Sequence, residues 1–237
     1  MSIAVIISGH MRTFAACLPT LKWQVLRHYG TPEFFVSTVR DERAETWREL
    51  ERHFPGCVVH VSIEDSQPDI DVPAPWRTCA WAPYAISVPQ QAVLKQLWQL
   101  SRAWKLYKVT RSMEHATVIR TRPDLWFSGF APCVPANNHA FTPWWGRFGG
   151  INDRFAVLGQ DAARAYFTTF DALPELAAEG APLHPETLVC HNLKRAGCCV
   201  NDTLRAEFST IRENGECRAP EISGIDIAHA ALRLSRC

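Results

Sequence analysis

Two short segments hold the residues best suited to gripping an anion. In "TVIRTRPDLWF" (117–127), Arg120, Arg122 and Asp124 alternate directly after a β-branched run. Charges rarely interrupt a buried strand unless they are paired or face a ligand. Guanidinium groups pair with phosphate oxygens through two parallel hydrogen bonds. A carboxylate such as Asp124 can hold a divalent cation that in turn holds a diphosphate. The competing reading is an Arg–Asp ion pair closing a turn around Pro123. The second segment, "SGHMRTF" (8–14), offers the Ser8 hydroxyl, the Gly9 backbone and the Arg12 guanidinium to a base, ribose or phosphate. Gly9 permits close backbone approach. Neither GxxxxGK[ST] nor GxGxxG occurs, so this is not a phosphate loop of either type. An ordinary strand-to-helix turn with a surface arginine is the alternative.

Both segments follow strand-like runs, which places them where open α/β sheets bind ligands, beyond the carboxyl ends of the strands. "IAVIIS" (3–8) has the continuous β-branched character of a strand buried on both faces. Residues 14–29 space Leu18, Leu21, Val25 and Tyr29 on one helical face, with Gly30 as a stop. A strand is expected over 33–39, then a charged helix over 41–54 with Asp41 as N-cap and Gly56 beyond its end. A third strand covers 57–63. Residues 64–84 carry four prolines and several acids and read as a long loop of the kind that is functional or mobile. Ser87 offers an N-cap to a helix over 89–112, whose Val93, Leu97, Leu100, Trp104 and Tyr107 form one stripe. A fourth strand is expected over 116–120. Strand and helix thus alternate through the first half, the pattern of a parallel sheet covered by helices. The second half is less regular: strands at 139–143 and 154–159 around a glycine-rich loop (144–153), then helices at 161–172 and 185–196, the last stopping at Gly197.

The chain has 237 residues, 47% of them hydrophobic, enough for one large core, so a single domain is expected. Its formal net charge of +1 gives no general basic footprint for nucleic acid. The apolar run near the N-terminus is too short for a signal peptide or a membrane span, and a cytoplasmic protein without a transmembrane segment is expected. Nine cysteines, an odd number without a CxxC pair, suit a reducing compartment. Cys190, His191, Cys198, Cys199 and Cys217 cluster in sequence, but their spacing matches no usual zinc pattern. Buried thiols are the simpler reading.

The order of "ISGHMRTF", the long helix, "VIRTRPDLWF" and "GGINDRFAVLG" resembles a poorly characterised family of glycosyltransferase-like proteins with SGxxR, RxRPD and NDxF elements, over about residues 3–195. The resemblance implies a GT-A-like, Rossmann-type α/β three-layer sandwich with a mostly parallel central sheet and helices on both faces. Its nucleotide-binding half would be about 1–127 and its acceptor half about 128–237. It implies transfer of a sugar from a nucleotide-diphospho-sugar to a glycan or lipid-linked saccharide. Ser8, Gly9, Arg12, Arg120, Arg122 and Asn152 would then serve the donor, with Gln91 and Lys95 facing it from the long helix. Asp124 would hold Mn2+ or Mg2+, although Arg122 stands where the wider fold usually has a second acid. Asp153 or Glu186 would act on the acceptor as a base, His191 would be a late metal ligand, and Trp144 and Trp145 would stack on a sugar ring. Simpler roles compete: an Asx turn at Asn152–Asp153, a helix-dipole contact at Glu186, core packing for the tryptophans and a solvated face for Gln91 and Lys95. Two rival functions stand beside the transferase. One is a non-catalytic nucleotide-sugar or glycan-binding module on the same fold. The other, ranked third, is a sulfotransferase, which would need a lysine in the first turn.

Overall fold

The computed structural model describes residues 2–77 and 89–218. The expected N-cap Ser87 and the cysteines at 79 and 237 lie outside them. The chain is α/β. Four parallel strands, β1 (Ile3–Ser8), β2 (Pro32–Val39), β3 (Val59–Glu64) and β4 (Val118–Thr121), begin a seven-stranded sheet of order β3-β2-β1-β4-β7-β6-β8. β7 (Ala156–Leu158) runs antiparallel to β4, while β6 (His139–Pro143) pairs antiparallel with β7 and parallel with β8 (Cys199–Leu204). A second sheet, β10-β9-β5, is built from β5 (Leu125–Phe130), β9 (Ala206–Ile211) and β10 (Cys217–Arg218).

Side chains alternate across a strand, so each central strand feeds two cores. Ala4, Ile6, Phe35, Val118 and Leu158 face a helical layer that supplies Leu97, Tyr107, Tyr166 and Leu188. That layer contains α4 (Gln90–Thr110), α5 (Gln160–Phe167), α6 (Leu173–Ala178) and α7 (Pro185–Arg195). Ile3, Val5, Ile7, Phe34 and Ile119 face the other way, onto α1 (Phe14–Thr20) and the second sheet's Phe127 and Phe208. Each fully buried Ile or Phe contributes about 1.5–3 kcal/mol.

Several expectations are corrected. The helix over 14–29 is α-helical only to Thr20. Pro19 removes a donor from its ladder, and the chain continues as a π turn (Leu21–Val25) and a 3-10 turn (Leu26–His28). Asp41 does not cap a helix. Its Oδ1 accepts the N–H of Arg43 at 2.8 Å in an Asx turn, and a 3-10 segment (Ala44–Arg48) precedes the short α2 (Glu49–His53). The helix over 161–172 ends at Phe167, and α6 follows. A four-residue helix, α3 (Ala74–Arg77), sits in the long loop. The apolar end of "TVIRTRPDLWF", for which no element was expected, forms a strand of its own. It opens β5 of the second sheet, and Pro123 stands at the turn between the two sheets. Among the described residues, no helix is long and apolar enough to cross a membrane.

Candidate functional site

β1 leads to β2 on one side, and the chain returns through α4 to β4 on the other side of β1. This reversal of strand order is a topological switch point, and the crevice at such a point, beyond the carboxyl ends, is where open α/β sheets bind ligands. A cleft of about 530 Å³ lies there. It joins eight of the expected site residues: Ser8, Gly9 and Arg12 after β1, Gln91 and Lys95 on α4, and Arg120, Arg122 and Asp124 at the end of β4. Five cations line it, Arg212 being the fifth, against the carboxylates Asp124 and Glu213.

Gly9 turns the chain with φ +129, a conformation L side chains rarely adopt, and a Cβ there would stand 3.4 Å from Pro123 Cδ. The two loops of the cleft therefore touch at a glycine. Arg120 forms the floor. It is a β4 residue, within the strand expected over 116–120, lies between Ile6 and Ala156 in register, and is 1% exposed. One guanidinium nitrogen donates to the Thr121 carbonyl, while among the described residues Nε makes no hydrogen bond. Burial depresses its pKa, and the Tyr166 hydroxyl and the Asp153 carboxylate work against that.

Arg122 donates from Nε and Nη2 to the two oxygens of Asp124, at 2.9 and 2.6 Å. This is the ion pair that competed with the metal reading. A divalent cation would have to displace a guanidinium that already holds both oxygens. Among the described residues, no group of three His, Cys, Asp or Glu side chains is placed to hold a metal. Asp124 would have to leave Arg122 before it could hold Mn2+ or Mg2+ against a substrate's phosphates.

α4 supplies one wall and carries a strap across it. Gln91 donates to the Ile70 carbonyl at 2.6 Å and accepts from the Ile70 N–H at 3.2 Å. Lys95 reaches Asp69 at 2.9 Å, and Gln99 accepts from Gln67 at 3.1 Å while donating to Ser37 at 3.0 Å. Gln91 and Lys95 are thus not simply solvated, since each also holds a residue of the strap. The β9–β10 hairpin makes the opposite wall: the Ile211 N–H donates to the Asp124 carbonyl at 2.9 Å, and Glu213 stands 3.7 Å from Arg12.

Six expected residues do not line the cleft. Asn152 is buried, donates to the Trp145 carbonyl at 2.9 Å and accepts the Arg154 N–H at 3.0 Å, the Asx-turn reading. Asp153 is 2% exposed and lies behind the wall, accepting from Gln96, which does line the cleft; the Tyr166 hydroxyl donates to the Asp153 carbonyl at 2.5 Å. Glu186 is 4% exposed, 2.9 Å from His184 Nδ1. Burial and then the charge of Asp153 push its carboxyl upward, against His184. Trp145 is core, its ring 4.5 Å from Phe208. Trp144 and the exposed His191 do not line the cleft.

Sequence reasoning passed over His10, Gln67, Gln96, Gln99 and Arg212. His10 sits inside the quoted "SGHMRTF" and was visible as a titratable group in a suspected loop. Its Nδ1 lies 2.8 Å from Asp41 Oδ2. Burial acts against the Asp41 charge, but His10 and the Arg43 N–H outweigh it and hold that carboxyl below its usual value. The cleft can therefore cradle an anion on guanidinium groups and present an oriented imidazole at its mouth. No protein-family model matches the chain, and a search of curated proteins returns no match.

Proposed function

We propose that the protein is a GT-A-like glycosyltransferase that binds a nucleotide-diphospho-sugar in this cleft and transfers the sugar to a glycan or lipid-linked acceptor. One observation carries the reading: two segments over a hundred residues apart, each singled out for its arginines, meet at the switch point in one cleft with five cations, in a chain of net charge +1. Positively charged groups fixed around a leaving diphosphate stabilise charge that develops in the transition state. Arg120 suits this task because its Nε has no hydrogen-bond partner among the described residues and the group is already desolvated. The chemistry is carried by arginines, with no step assigned to a metal.

The test is thermal shift with a panel of nucleoside diphosphates and sugar nucleotides, with manganese or with EDTA. Binding stabilises by mass action, about 2.7 kcal/mol at a ligand concentration of 100 Kd. A true donor raises the melting temperature in EDTA as well as in manganese. No shift with any member of the panel would sink the transferase reading. The burial of Asp153 and Glu186 favours one rival, a non-catalytic binding module. A donor that shifts the protein but is never hydrolysed or transferred would select it.

A further inference from the structure

We propose that His10, oriented by Asp41, is the general base that takes the proton of the acceptor hydroxyl; this rests on the transferase reading above. His10 lines the cleft, and Asp41 does not. The imidazole stands at the mouth, 39% exposed, with Nδ1 directed at Asp41 Oδ2 at 2.8 Å. Asp41 is itself fixed, because its other oxygen accepts the Arg43 N–H at 2.8 Å. A carboxylate accepting from Nδ1–H keeps the proton on that nitrogen and leaves the Nε2 lone pair as the base. Among the described residues, Nε2 makes no hydrogen bond. The charged groups around the ring are Asp41, from the turn after β2, Arg12, from its own loop, and Arg212 and Glu213 across the mouth.

The other carboxylates are worse placed. Asp124 is held on both oxygens by Arg122, Asp153 is buried behind Gln96, and Glu186 is buried against His184. The floor and the mouth divide the work. A diphosphate seated towards Arg120 leaves the sugar's anomeric carbon towards the open side, where an acceptor enters beside His10. The acceptor oxygen bonds to that carbon as its proton passes to Nε2. The bond from the carbon to the β-phosphate oxygen breaks, and its electron pair leaves with the nucleoside diphosphate. Asp41 stabilises the imidazolium, which later returns the proton to solvent.

The experiment measures, on the full chain, both binding and hydrolysis of the sugar nucleotide that stabilises the wild type, with water as acceptor. His10→Ala should bind the donor within about threefold of wild type and lose about 100-fold or more in turnover. Asp41→Asn should lose at least about tenfold in turnover while binding the donor within about threefold of wild type, a split that loss of packing alone does not cause. His10→Ala turning over within threefold of wild type would overturn the proposal. So would a wild type that binds a donor and never turns it over. A substrate-free arm separates this proposal from the donor reading. Diethyl pyrocarbonate, followed by peptide mass spectrometry at pH 7, should modify His10 several-fold faster than the exposed His28 and His191, and Asp41→Asn should abolish that lead. If no donor binds but the lead is present, the transferase reading falls while the activated imidazole stands. If His10 reacts no faster than those two, the dyad falls whatever binds.

Discussion

At the scale of single residues, the cleft depends on groups whose neighbours the sequence does not show. The two arginines of "RTRPD" and the arginine of "SGHMR" stood out because charge next to a β-branched run needs a partner. Which partner each has is a tertiary fact: Arg122 has Asp124, and Arg120 has a buried environment in which Asp153 is the carboxylate that most favours its charge. Leaving a buried polar or charged group without its compensation costs about 1–3 kcal/mol. Arg120→Met should therefore lower the melting temperature by roughly 5 °C, at 2–4 °C per kcal/mol for a chain of this size. It should also weaken pyrophosphate binding at least about tenfold. Adding Asp153→Asn should restore part of the stability and none of the binding, as calorimetry and titration would show. Gly150 makes the opposite case for legibility. It read only as part of a glycine-rich loop, yet a Cβ there would lie 2.1 Å from the Glu186 carbonyl oxygen. Gly150→Ala should cost about 3 kcal/mol or more, since backbone must move to admit the methyl group. A loss under about 1 kcal/mol in urea unfolding would contradict the close approach.

At the scale of elements, β1 to β4 were legible as short continuous β-branched or aromatic runs and α4 as an apolar stripe of period 3.6. β5, β8, β9 and α6 were not. "LWFSGF" follows "VIRT" after only three residues, so it reads as a continuation unless Pro123 is known to redirect the chain into another sheet. β9 carries Glu207 and Ser209 on an alternating face, and its apolar residues Ala206 and Phe208 are too few to announce a strand before their partner is seen. Gln91 and Lys95, which read as a solvated face, sit four apart on α4, and Gln99 follows at the same spacing. They are instead the stitches that hold residues 67–70. Gln91→Ala removes the two hydrogen bonds to Ile70, worth about 1 kcal/mol each. Local opening of the strap should then rise roughly thirtyfold, with little change in the global melting temperature. Trypsin cleavage after Arg77 should accelerate accordingly under native conditions. An unchanged cleavage rate would mean that the strap is held elsewhere.

At the scale of the whole molecule, the two ends of the central sheet are built for different tasks. The carboxyl ends open into the cationic cleft. At the other end, Glu33, near the start of β2, is buried and accepts the Ser112 N–H at 2.9 Å, the Ser112 hydroxyl at 2.6 Å and His60 Nε2 at 2.8 Å, with His115 Nε2 at 3.1 Å. Burial opposes the Glu33 charge, but these donors outweigh it and hold its carboxyl below the ordinary 4.5. Burial lowers the His115 pKa below 6.5 despite the pull of Glu33. Both shifts act in one direction. In each case the unfolded chain binds the proton at a higher pH than the folded one, so stability falls as pH falls. His115 contributes stability that is whole above about pH 6.5 and is lost below it, down through its folded pKa. Glu33 contributes stability that is whole above about pH 4.5 and is lost as pH falls through its own depressed value. Urea unfolding from pH 8 to 3 should show both losses. His115→Gln should flatten the upper window and keep the lower one, because Glu33 retains Ser112 and His60. Glu33→Gln should remove the lower loss and deepen the upper one, because His115 then loses the carboxylate that favours its charged form and its pKa falls further. Equal slopes in wild type and His115→Gln between pH 6.5 and 4.5 would show that this buried histidine does not govern the acid response of the fold.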